Sequence, residues 1–340
     1  MQNLSLSIIV PCYNEAKNID IFYQTIKTTI LNRVCGDESD TQMGGGIYSK
    51  KSETSQDCLK NAIKRYEIIF IDDGSKDRTI DKIKALQNSD KSIRLIKFSR
   101  NFGKEAAMLA GLKAAKMELV TIMDCDLQDP PTLLNEMLEV YIKNNGAIKM
   151  IVAKRRNRSG DSKIRAFFSE IFYKINNMLS NVKIISGVRD FRLMSYEVVK
   201  SILKIDEYHR FSKAIFEFVG FEKRYLEYDY VNRFDGESKW GFVKLLRYGL
   251  GGIISFSVTP LRAITMIGIV IFAFSSLWGV YILLQSLIFG NAVKGYPSLM
   301  VLVSFLGGLQ IIMLGIIGEY IGRIYEQGKN RPHYFIEYED

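Results

Sequence analysis

The stretch VTIMDCDLQDPP, residues 120–131, places Asp124, Asp126 and Asp129 within six positions at the end of an apolar run. Carboxylates this close repel one another unless a cation sits among them, and a metal ion is the first candidate. An EF-hand Ca2+ loop needs Gly at its sixth position and Glu at its twelfth, whereas counting from Asp124 gives Asp129 and Asn135. The chain contains neither GxxxxGKS/T nor GxGxxG, so ATPase and dinucleotide readings lack support. What remains is a hard cation, Mg2+ or Mn2+, held by one or two carboxylates and completed by the phosphates of a nucleotide diphosphate.

Three further polar motifs close apolar runs in the same way: PCYNE (residues 11–15), DDGSKDRT (72–79) and SRNFGKEAA (99–107). Each alone reads as a turn or a helix cap. Together with DCDLQD (124–129) they mark one chemical edge.

The elements that must carry these motifs alternate. LSIIVP, EIIFIDDGS, IRLIKFS and LVTIMD are short and β-rich, and each is followed by a helical pattern, from about Lys17, in DRTIDKIKALQ, in EAAMLAGLKAA and in PTLLNEMLEVYIK. That rhythm predicts βαβ units and a doubly wound, mostly parallel sheet, in which ligands bind beyond the carboxyl ends of the strands. Between about residues 32 and 65 the pattern fails in a Gly-, Ser- and Thr-rich stretch that reads as a surface insertion.

The formal charge of +9 admits nucleic acid, an anionic membrane surface or a phosphorylated substrate, and charge alone does not choose. Cys12, Cys35, Cys58 and Cys125 show no CxxC spacing, and His209 and His333 are the only histidines, so the cysteines read as reduced thiols in a cytosolic compartment. The N-terminus lacks a basic region before its short apolar run and is expected to be a first strand, not a signal peptide.

Residues 263–289 are free of charge, and after a short link a second such run begins at Pro297. Each exceeds the roughly 20 residues that cross a bilayer core, which predicts two transmembrane helices at about 263–289 and 297–320. Lys244, Arg247 and Arg262 precede the first and Arg323, Lys329 and Arg331 follow the second, while the link carries only Lys294. By the positive-inside rule both termini face the cytoplasm. The mixed aromatic and basic stretch WGFVKLLRYGLGGIISF predicts an amphipathic interfacial helix before the first span.

PxYNE, DDGSxDxT, RNFGKEAA and DxDLQDPP, then GVRDFRLMS, RFDGESKW and GEYIGRIYEQGKNRP after two spans, resemble the polyprenyl-phosphate glycosyltransferases of glycosyltransferase family 2. The likeness is to bactoprenol glucosyltransferases, and more distantly to dolichyl-phosphate mannose synthase. It implies a GT-A-type catalytic domain over 1–232 with the insertion at about 32–65. A juxtamembrane lid and interfacial helix over 233–261, the two spans within 262–322 and a cytoplasmic tail over 323–340 would follow. It also implies an inner or plasma membrane enzyme, with a homotetramer allowed, acting on lipid and not on nucleic acid.

The resemblance assigns roles residue by residue. Pro11, Tyr13, Glu15 and Asp72 would contact the base and ribose of a nucleotide sugar, with Lys104 and Asp124 also on the donor. Asp124, Asp126 and Gln128 would lie around the metal and diphosphate, with Asp126 essential to catalysis. Arg155, Arg165 and Arg192 would border the acceptor phosphate, because a planar guanidinium offers it paired donors. Asp190 is expected to orient Arg192 or the acceptor more than to remove a proton, since a phosphate monoester with a second pKa of about 6 is already a competent nucleophile. Arg233, Ser238 and Lys239 are expected to close over the diphosphate. The implied reaction is inverting transfer of one sugar, UDP-glucose by default and GDP-mannose as the alternative, to undecaprenyl phosphate. A processive synthase would carry QxxRW and more spans, neither present here, and a non-catalytic nucleotide-sugar sensor would not need the acceptor arginines.

Overall fold

In the computed structural model, residues 4–31, 62–156, 185–229, 259–289 and 295–340 are described, together with residues 177, 182 and 183. They fall into two units: one holds the sheet, its helices and residues 332–340, and the other holds two long C-terminal helices.

The central strands are continuous apolar runs because both faces are covered, as a parallel sheet requires. β1 (Leu4–Cys12), β2 (Ile63–Asp72), β3 (Ile93–Phe98) and β4 (Leu119–Ile122) pair parallel, in the order β4-β1-β2-β3, with Ile8, Ile9, Ile68 and Ile69 fully buried. Their connecting helices are α1 (Ile19–Ile26, continued by one wider π-type turn), α2 (Thr79–Ser89) and α3 (Lys104–Ala114), and α4 (Thr132–Lys143) follows β4. α1 buries Ile19, Phe22, Tyr23 and Ile26 along one stripe, and the Phe22 ring meets Phe70 of β2 edge to face at 6.2 Å. Gly111 lets α3 lie directly on β1, since a Cβ there would come within 2.2 Å of the Ile9 side chain. The β/α alternation expected for this half is what the chain adopts.

The rest of the sheet is mixed. Val188–Ser195 forms β6, inserted antiparallel between β4 and β5 (Met150–Arg155), and β7 (Lys223–Tyr228) pairs parallel with β5. Helices α5 (Tyr196–Leu203) and α6 (Ser212–Phe218) connect β6 to β7. Cys12 and Cys125 are buried free thiols.

Two expected boundaries move. The insertion ends earlier than residue 65, because Ile63 already opens β2 and is buried. Residues 323–340 are not simply a tail: the second long helix continues to Gly328, and Ile336–Glu339 returns to the sheet as β8, an antiparallel edge strand on β3. Tyr334 stacks on Phe98 at 4.7 Å and Lys97 pairs with Glu337 at 2.8 Å, so side chains as well as the ladder fix this strand.

In the second unit, α7 spans Thr259–Phe289 and α8 spans Tyr296–Gly328. At 1.5 Å per residue each is roughly 45–50 Å long. α8 exposes Ile311, Ile312 and Leu314. The interfacial helix expected within 233–261 lies almost wholly outside the described residues.

Candidate functional site

All four motifs meet at the carboxyl edge of the parallel strands. In the β1/β2 register Cys12 lies opposite Asp72, so PCYNE and DDGSKDRT leave the sheet side by side. They are knitted together: Asn14 N donates to Ser75 Oγ at 2.9 Å, Glu15 N to Thr79 Oγ1 at 2.9 Å, and Lys76 N to Asn14 Oδ1 at 2.8 Å. Gly74, at φ 71°, allows the turn to press on the next loop, where a Cβ would strike the Arg100 backbone at 2.5 Å. Pro11, Tyr13, Glu15 and Asp72 are thus brought to one edge, as expected.

Asp72 is fully buried, and its Oδ2 accepts Ser75 N at 3.0 Å. Its Oδ1 has no hydrogen-bond partner among the described residues. Burial raises this carboxyl above its ordinary pKa, against the hydrogen bonds from Ser75. A buried acceptor left unmet costs more than a bond contributes, which marks this strand end as one not built for stability alone.

Asp73 was not singled out from sequence, yet it builds the neighbouring loop. Its carboxylate accepts Phe102 N at 2.6 Å, Gly103 N at 2.9 Å and Asn101 Nδ2 at 2.9 Å. Burial lifts its pKa to about 6 even though the Phe102 and Gly103 amides favour the charged form. The loop so fixed delivers Lys104 as the first residue of α3.

Lys104 Nζ lies 2.8 Å from the Asp124 carboxylate and 2.9 Å from Asp190 Oδ2. Burial alone would lower the Lys104 pKa, but Asp124 and then Asp190 outweigh it and raise it. Burial would likewise raise the Asp190 carboxyl, yet Lys104, followed by Lys213 and Arg192, holds it well below the usual range. Asp190 is therefore a fixed anion. Asp126 Oδ1 caps Gln128 N at 3.2 Å, with Leu127 between them in the left-handed region at φ 53°.

Among the described residues no three His, Cys, Asp or Glu side chains converge to enclose a metal. Asp124 and Asp126 nonetheless fit an ion that takes one or two carboxylates and completes its shell with phosphate oxygens and water, as Mg2+ and Mn2+ do. Gln128, expected beside the metal, accepts Arg189 Nη2 at its Oε1 at 3.2 Å.

The acceptor assignment needs one correction. Arg192 is 1% exposed: its Nε donates to the Asp190 carbonyl at 3.1 Å, its Nη2 to the Arg189 carbonyl at 2.7 Å, and its Cζ lies 3.6 Å from the Phe216 ring centroid. Burial lowers its pKa to about 10. Buried this way, Arg192 shapes the RDFR segment and presents nothing to a lipid phosphate. Arg155 ends β5, its N donating to the Gly187 carbonyl at 2.9 Å. Arg165, Arg233, Ser238 and Lys239 lie outside the described residues.

Fold and site together define an α/β protein whose parallel strands end in an edge where carboxylates are paired with cations. The chain belongs to glycosyl transferase family 2: the model of that name matches residues 51–203, and one described as the GtrB C-terminal hairpin matches residues 259–324. It is similar to the SfII prophage-derived bactoprenol glucosyl transferase of Shigella flexneri, 40% identical over 336 residues, covering 98% of each chain. It is also 40% identical over 332 residues to the putative glycosyltransferase CsbB of Bacillus subtilis, covering 98% of this chain and 91% of that one. Among solved structures, the mannosyltransferase PcManGT of Pyrobaculum calidifontis aligns at a TM-score of 0.44 and 14% identity, over 92% of this chain and 88% of that one. The protein is thus a glycosyltransferase with a mixed GT-A-type sheet and a C-terminal helical hairpin.

Proposed function

We propose that the protein transfers a single sugar from a nucleotide diphosphate sugar, UDP-glucose by preference, to undecaprenyl phosphate at the cytoplasmic face of the membrane. The observation that carries the reading is Lys104 bridging Asp124 and Asp190, which joins the donor motif to the RDFR segment in one charged cluster. The near full-length similarity to a protein named bactoprenol glucosyl transferase supports the lipid acceptor. Phe305–Gly328 is long and apolar enough to cross a membrane, and the uncharged residues of α7 supply the second span.

In this reading the edge formed by PCYNE and DDGSKDRT, with Tyr13, Glu15 and Asp72, takes the base and ribose of the donor. Asp124 and Asp126 would hold Mg2+ or Mn2+, which when bound supplies Lewis-acid neutralisation of the leaving diphosphate. Lys104 adds a fixed positive charge to the same end of the donor, where charge develops as the glycosidic bond breaks. Asp190 stays ionised and fixes Lys104. The acceptor phosphate needs no base, being largely a dianion near neutral pH. Its attack on the anomeric carbon opposite the leaving group inverts that centre.

Membranes containing the protein, incubated with undecaprenyl phosphate and a panel of radiolabelled nucleotide sugars, test this after lipid extraction. Label in the lipid fraction from one donor is the expected result. No label from any donor would refute the reading, and label from GDP-mannose alone would replace glucose by mannose.

A further inference from the structure

We propose that Arg189 is a phosphate-binding residue of this site and that Asp129 and Tyr228 are positioning residues that hold it; the assignment rests on the transferase reading above. Asp129 is 8% exposed, and its Oδ1 and Oδ2 accept Arg189 Nε at 3.2 and 3.4 Å. The buried Tyr228 hydroxyl donates to the same carboxylate from β7. Gln128 Oε1 accepts Nη2 at 3.2 Å. The neighbouring Asp129 and Gln128 thus hold one edge of the guanidinium, Tyr228 braces Asp129 from a distant strand, and Nη1 has no hydrogen-bond partner among the described residues.

An arginine that served only the core would be enclosed, as Arg192 is at 1% exposure. The Arg189 side chain instead keeps 31% of its surface, while the groups holding it are buried. Burial would lower its pKa, but Asp129, then Asp124, Tyr228 and Asp190, keep it raised, so the group is permanently charged and close to the Asp124–Asp190 cluster. A guanidinium with one edge on a carboxylate still offers donors along the other, the arrangement that suits phosphate oxygens. Asp124, Asp129 and Asp190 lie among Lys104, Arg189, Arg192 and Lys213, so a phosphate would bring further negative charge to carboxylates that a divalent ion would offset. A phosphate would therefore reach Arg189 together with the metal. Two phosphates are available in the proposed reaction, the diphosphate of the donor and the monoester of the acceptor.

The full-length protein in detergent, with Mg2+, decides it by calorimetric binding of two sets of probes: UDP and inorganic pyrophosphate for the donor, farnesyl phosphate for the acceptor. Arg189→Gln should weaken one set about ten- to a hundredfold, the range for a lost charge-assisted bond, and leave the other within about twofold. Loss with UDP and pyrophosphate assigns the donor phosphate, and loss with farnesyl phosphate assigns the acceptor. Arg189→Lys should recover part of the loss in the same arm, and Tyr228→Phe, which loosens the carboxylate but keeps the guanidinium, should show a smaller loss there. Unchanged binding in both arms overturns the inference, as do equal losses in both arms with a lowered melting temperature and no recovery by lysine. If Arg189→Gln does not fold, Tyr228→Phe decides alone: loss in one arm supports the inference and none overturns it. Because both arms read binding, wild-type protein that transfers no sugar would refute the transferase reading without deciding the role of Arg189.

Discussion

Lys104 Nζ stands 2.9 Å from Asp190 Oδ2, although 86 residues separate the two in sequence. The contact ties the first turn of α3 to β6, and through the same amine to Asp124 at 2.8 Å. Three groups that a mechanism would use separately are therefore one electrostatic unit, and none of them can change charge without the others responding.

The pH dependence of transfer should show this first. Lys104 holds the folded pKa of Asp190 well below the ordinary aspartate value near ~4, so its charge is constant from pH 5 upward. The stability this pairing gives is present above the unfolded pKa and is lost only as pH falls toward and below it. An acid limb in kcat/KM should accordingly lie near pH 6, where the acceptor phosphate titrates, and Asp190→Asn should lower the rate without moving that limb. A limb that vanished in Asp190→Asn would show that Asp190 is the titrating base after all.

Removing the cation between the carboxylates should be costly. Lys104→Met leaves Asp124 and Asp190 without the ammonium that bridges them, with only the more distant Lys213 and Arg192 beside Asp190, so the pair repels and shifts. Donor kcat/KM should fall about ten- to a hundredfold with the circular dichroism spectrum unchanged, and Lys104→Arg should recover part. Wild-type kinetics for Lys104→Met would remove Lys104 from the site.

Asp126→Ala should abolish transfer while the protein stays folded, and EDTA should reproduce it. Asp126 lies beyond the end of β4, outside the buried strand itself, and its Oδ1 accepts Gln128 N at 3.2 Å. Full activity after exhaustive chelation would contradict the metal reading directly.

The C-terminal strand offers a stability test. Deleting residues 332–340 removes the β8 ladder on β3, the Tyr334–Phe98 stack and the Lys97–Glu337 pair. The aromatic pair alone is worth about 0.5–1.5 kcal/mol. The melting temperature of the deletion should fall by several degrees, and an unchanged melt would mean that β8 contributes nothing to holding the sheet.

How much of this was legible depended on the kind of signal. β1 to β4 announce themselves as runs of Ile, Leu and Val ending in polar motifs, because central parallel strands are buried on both faces. β6 does not: VRDFRLMS carries three charges, one of them the buried Arg192, and no periodicity rule expects an arginine to fill a core. β8 has four residues, all exposed, after a long apolar hairpin, so it reads as a tail. In the site, carboxylates close together in sequence were found by spacing. Arg189 with Asp129, and Tyr228 with Asp129, are 60 and 99 residues apart, and only the pairing of distant strands brings them together.

Arg192 separates the two lessons most sharply. From sequence it was an acceptor-binding guanidinium, whose loss would raise the acceptor KM and leave the donor alone. In the structure its Nε and Nη2 bond the Asp190 and Arg189 carbonyls, its side chain is buried and its guanidinium lies over Phe216. Arg192→Ala would remove the donors to the Asp190 and Arg189 carbonyls, open a cavity against Phe216 and take a cation from beside Asp190. Disrupting a buried charged group in this way costs on the order of 3–5 kcal/mol. The variant should melt markedly lower, and donor and acceptor should weaken together because the segment carrying Asp190 and Arg189 loses its shape. Arg192→Lys should recover little, since an ammonium cannot reach both carbonyls and stack on the ring. A normal melting temperature with only the acceptor KM raised would restore Arg192 to the lipid phosphate and show that the buried conformation opens during the reaction.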